Sequence, residues 1–77
     1  MYEELDEAIL RYLRKVGRGM DLWLVYDAVS MVIRFGLHIG PSFGYELVRR
    51  RLYALRKKGL ISYLPGQGWV AVQKEGA

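Results

Sequence analysis

Apolar positions in the first sixteen residues recur at helical spacing. Leu5, Ala8, Ile9, Tyr12, Leu13 and Val16 form one stripe, which predicts a helix over residues 3–16. Glu3, Glu4, Asp6 and Glu7 occupy its start, and Arg11, Arg14 and Lys15 lie near its end, both placements suiting the helix dipole. Leu10 falls outside the stripe, where it is either exposed or in contact with a partner. Gly17-Arg18-Gly19 then stops the helix.

Asp21 is a natural N-cap for a second helix over residues 21–35, with Gly36 as its stop. One face carries Leu22, Val25, Tyr26, Val29, Val32 and Ile33. A second apolar stripe, Leu24, Ala28, Met31 and Phe35, runs roughly opposite. A small domain rarely buries both sides of a helix within itself. Either the first helix or the C-terminal hairpin covers the second stripe, or the stripe is a subunit interface, most simply of a two-fold dimer. The dimer is the preferred reading.

Residues 37–41 read as a loop. Ser42 is the expected cap of a third helix over residues 43–58, with Glu46 close to capping-box spacing and Gly59 as the stop. The period then changes. Residues 60–64 read as a strand, Pro65-Gly66-Gln67-Gly68 as a tight turn and residues 69–73 as the returning strand. Residues 74–77 are expected to fray. The whole, residues 1–77, reads as one mainly α domain with a small β-hairpin.

Composition narrows the chemistry. The 77 residues include no cysteine and a single histidine, His38, which leaves no disulfide, no common zinc motif and no expected metal or cofactor. Nothing suggests a catalytic triad or a phosphate-binding glycine loop, so an enzyme is not expected. The first turn is acidic, unlike a signal peptide, and the apolar run at residues 22–33 is too short to span a bilayer and is interrupted by Asp27. A soluble, cytoplasmic protein is therefore expected, associated with the nucleoid if prokaryotic or in the host cytoplasm if viral. Asparagine, threonine and cysteine are absent and arginine outnumbers lysine, a thermophile-like bias.

The net charge of +4 suits a polyanionic partner, and its distribution is more informative than its size. Arg49, Arg50, Arg51, Arg56, Lys57 and Lys58 share one predicted helix with the single acid Glu46. Val48, Leu52 and Leu55 define that helix's buried face. At about 100° per residue, Glu46, Arg50, Tyr53 and Lys57 lie opposite, with Arg49 and Arg56 on a flank and Arg51 near the core edge.

Ser42 and the run from Val48-Arg49-Arg50-Arg51-Leu52-Tyr53-Ala54-Leu55 through Arg56-Lys57-Lys58-Gly59-Leu60-Ile61 resemble the winged helix-turn-helix family of transcriptional regulators. The likeness covers nearly the whole chain as an order of elements, and residues 42–72 in sequence-specific detail. The second helix is longer and more apolar than is usual for the family, and the loop before Ser42 is longer than a minimal turn. The resemblance implies duplex DNA binding and transcription regulation, with the third helix in the major groove. Arg50 is then the best base reader, since arginine bonds guanine at two points. Arg49 and Tyr45 would assist near the helix start. Ser42, Tyr53 and Lys57 would contact phosphate, Gln67 would reach out from the wing tip, and Lys74 from the end of the hairpin. Arg51 is expected to pair with an acid of the protein, and Glu46 with Arg49 or Arg50. Trp69 and Tyr63 are expected to pack rather than stack on bases.

A few contacts per half-site suggest a homodimer on two half-sites about one DNA turn apart. The rival reading is a winged-helix protein-interaction module in a larger assembly, without sequence-specific DNA binding. RNA binding ranks lower, because a two-stranded wing offers little platform for bases.

Overall fold

The computed structural model describes residues 2–72. Helix α1 (Glu3–Val16) ends where Gly17 adopts φ +66° and its N–H reaches back to the Leu13 carbonyl at 3.1 Å. Helix α2 (Leu22–Met31) begins with the Asp21 carboxylate accepting from the Leu24 N–H at 2.9 Å. Helix α3 (Pro41–Lys57) follows, and strands β1 (Ile61–Leu64) and β2 (Gly68–Ala71) form an antiparallel hairpin. Three helices and a terminal hairpin make an α+β, winged-helix layout, in the order that the periodicities predict.

Past Met31, α2 widens into a π turn over Val32–Gly36, in which the Leu37 N–H bonds the Val32 carbonyl five residues back. Val25, Val29 and Ile33 are all buried along this helix. The stop expected at Gly36 comes slightly later, where His38 takes φ +56°.

The expected cap of α3 is corrected. Gly40 is the N-cap, Pro41 opens the helix and Ser42, exposed in the first turn, makes no capping bond. Proline fits this place because the first helical N–H needs no partner and its fixed φ is already helical. Three residues after the proline, Gly44 lets α3 cross α2 closely: a Cβ there would lie 2.8 Å from Ile33 Cγ2 and 3.3 Å from Tyr26 Cε1. The chain bends by 116° between Leu22–Gly36 and Pro41–Lys57, within the usual range of a helix-turn-helix.

The hairpin turn runs Leu64-Pro65-Gly66-Gln67, closed by Gln67 N–H to Leu64 C=O at 2.9 Å, with Gly66 at φ +78°. This is the backbone that proline followed by glycine favours. The register pairs Ile61 with Ala71 and Tyr63 with Trp69. One element had no periodic signal: Met20, between α1 and α2, exchanges two backbone hydrogen bonds with Trp69 at 2.8 and 3.0 Å. It acts as a one-residue third strand that ties the hairpin to the helices.

Leu5, Ile9 and Leu13 of α1, Val25, Val29 and Ile33, Val48, Leu52 and Leu55 of α3, and Met20, Ile61 and Trp69 form one buried cluster. Leu10 is half-buried against it. The second stripe of α2 is left outside. Leu24, Met31 and Phe35 remain 47%, 64% and 63% exposed, and Ala28 is exposed as well. Neither α1 nor the hairpin covers them, which removes that reading of the stripe. Among the described residues no single helix is long and apolar enough to cross a membrane.

Candidate nucleic-acid interface

With Val48, Leu52 and Leu55 buried, helical geometry sends Arg50, Tyr53 and Lys57 outward, and all three are exposed. The three consecutive arginines of α3 have three different environments. Arg49 is held by Glu46, one turn earlier, through Nε to Oε2 at 3.3 Å and a second, shorter bond from Nη2 to Oε1. Arg50 is 75% exposed, and its Nε stands 3.8 Å from the same carboxylate. Arg51 turns inward to Asp6 of α1, Nε donating to Oδ1 at 2.9 Å and Nη2 to Oδ2 at 2.7 Å, with the Tyr2 ring 5.3 Å away.

The hydrogen bond from Arg49 holds the Glu46 carboxyl below the ordinary glutamate range, and the same bond raises the Arg49 guanidinium. The bonds that Arg51 donates to Asp6 raise its guanidinium likewise. Glu46 therefore offsets positive charge on the first half of the outward face. Further along, Arg56, Lys57 and Lys58 are exposed and have no ion pair among the described residues.

Beside this face lies an open cleft of about 780 Å³. Arg49, Tyr53 and Arg56 line one wall, Tyr63, Gly66, Gln67 and Gly68 the other, and Asp21, Leu22 and Leu24 close it at the start of α2. Two aromatic contacts brace the walls: Tyr53 and Tyr63 each meet the Trp69 ring edge-on, at 5.5 and 5.1 Å between centroids. Trp69 is buried while Tyr63 is 44% exposed, so both pack at the hairpin root and Tyr63 also presents an edge to the cleft.

Of the residues singled out by sequence, the cleft thus joins Arg49, Tyr53 and Gln67, while Arg50 and Lys57 occupy the adjoining outward face. Ser42 stands apart at the start of α3. Tyr45 is half-buried against α2, its ring 4.3 Å from that of Trp23 and 5.9 Å from that of Tyr26. Lys74 lies outside the described residues. Arg56, read from the sequence only as a flank position, is a wall of the cleft; its place beside Arg49, two turns on, was the available signal. Phe43, 78% exposed next to Ser42, carried no signal at all.

Among the described residues no group of three or more His, Asp or Glu side chains is placed to hold a metal ion. Comparison of the chain with family models, curated proteins and solved structures finds no match.

Proposed function

We propose that the chain is a double-stranded DNA-binding protein of the winged helix-turn-helix kind, a transcription regulator that works as a homodimer and lays α3 in the major groove. The observation that carries this reading is the union of an outward cationic face, Arg50 and Lys57, with a cleft walled by Arg49 and Arg56. A major groove admits one α-helix, and a hairpin alongside it meets the adjoining backbone strand. In this reading Arg50 reads a base edge, because it is the most exposed arginine of the three and only loosely held by Glu46. Arg56 and Lys57 bind phosphate as unpaired charges. The wing contributes little: residues 62–72 contain no lysine or arginine, and Gln67 offers only an amide.

Titration with a random-sequence duplex tests this. On a random-sequence duplex Arg50 has no cognate base edge and joins Arg56 and Lys57 on phosphate, so the logarithm of affinity should fall against the logarithm of salt with a slope of roughly −3 per bound copy. A protein-interaction module is the second reading, favoured by the exposed apolar side of α2. It predicts no salt-dependent duplex binding.

A further inference from the structure

We propose that α2 pairs antiparallel with α2 of a second copy, about a two-fold axis level with residues 29 and 30. This rests on, and gives a geometry to, the homodimer in the functional reading above. The exposed residues Leu24, Ala28, Met31 and Phe35 are spaced four, three and four apart. That is the alternation of a helix seam that meets another helix along its length.

The seam is complementary to itself in one direction only. Run antiparallel about that axis, Leu24 faces Phe35 of the second copy and Ala28 faces Met31 of the second copy. A small side chain then meets a large one in the central layers, and symmetry repeats each contact. A parallel pairing stacks Ala28 on Ala28 and leaves a void at the centre.

Charge selects the same arrangement. Asp27 and Arg34, the latter in the π turn, are both exposed and each immediately precedes a seam residue, which sets them beside the seam on the same side. Neither has an ion pair among the described residues; Arg34 rests only against the Phe35 ring, 5.6 Å from its centroid. A two-fold axis across antiparallel helices keeps that flank on one side of both copies. Asp27 therefore comes beside Arg34 of the second copy, twice per dimer. In a parallel pairing the residue across from Asp27 is the uncharged Val32.

The test is sedimentation of the full chain at micromolar concentration without DNA, with circular dichroism to check folding. The wild type should sediment as a dimer, and Met31→Asp as a folded monomer. Asp27→Arg and Arg34→Asp, alone, should each raise the dimer dissociation constant roughly tenfold or more, since two like-charged contacts replace two pairs. An equal mixture of these two variants should recover the dimer, because each copy then supplies the charge the other lacks. A monomeric wild type, a Met31→Asp protein that still dimerises, or a mixture no better paired than its components would overturn the proposal. Duplex titration of the same proteins separates the two claims: a dimer that fails to bind duplex removes the DNA reading and leaves the pairing, and a monomer that binds duplex does the reverse.

Discussion

Arg51 of α3 and Asp6 of α1, 45 positions apart, are joined by two parallel hydrogen bonds at 2.9 and 2.7 Å in a partly buried setting. The guanidinium fork matches the carboxylate, so the pair ties α3 to α1 beside their packed faces. Buried Val48, Leu52 and Leu55 set which of three adjacent arginines faces outward, and the pair adds to their hold on α3. Asp6→Asn or Arg51→Met should therefore cost about 1–3 kcal/mol in urea unfolding, between the values for exposed and buried pairs. In low denaturant, where both variants remain folded, duplex affinity should fall far less than in Arg50→Ala.

Glu46 restrains Arg49 on the flank of the outward face and Arg50 on the face itself. Glu46→Gln should strengthen duplex binding, and if Arg49 gains a phosphate the salt slope should steepen by about 0.9. The stability effect has the opposite sign. Because Arg49 holds the Glu46 carboxyl below its ordinary range, the pairing stabilises the fold above the unfolded-state pKa and is lost as pH falls through the folded one. Chemical denaturation of wild type and Glu46→Gln across that acidic window should show their difference shrinking towards zero. A difference that widens on acidification would contradict the assignment.

Three glycines separate strain from crowding. A Cβ at Gly40 meets open space at an ordinary φ of −69°, and one at Gly66 meets open space at φ +78°. At Gly68 it would combine φ +114° with a 2.5 Å approach to the Met20 carbonyl oxygen. Alanine should accordingly be near neutral at Gly40, cost about 1 kcal/mol at Gly66 and about 2–4 kcal/mol at Gly68. Thermal unfolding followed by tryptophan fluorescence reads all three, since Gly68 precedes buried Trp69.

Much of this fold is written locally. The α1 stripe, the Val48, Leu52 and Leu55 face and the Pro65-Gly66 turn each need only their own neighbours to form, so periodicity and turn chemistry suffice to find them. What stayed hidden depends on contacts distant in sequence. Met20 is a strand only because Trp69 comes to it, and a single paired residue leaves no period-two pattern. The π turn, where the Leu37 N–H reaches the Val32 carbonyl, leaves no mark in the spacing of apolar residues. Ser42 and Pro41 both carry start signals, and with Gly40 as the N-cap it is the proline that opens the helix. At the candidate site the helical wheel gave Arg50 and Lys57 correctly as outward positions, and chemistry gave Arg51 an acid as partner. The wheel did not give Tyr45 its ring partners, because the angle between α2 and α3 brings Trp23 to it. For the same reason the cleft between α3 and the hairpin, and Arg56 as its wall, had to be seen rather than read.

The most direct measurement is the affinity for a random-sequence duplex at low salt of the wild type and of Arg50→Ala combined with Lys57→Ala. Both side chains are exposed and outside the core, so the double variant should keep its thermal stability. The account predicts salt-sensitive binding by the wild type, weakened in the variant by about 2 kcal/mol or more, with a salt slope shallower by nearly 2. Equal affinity and an unchanged slope in the folded double variant would contradict it.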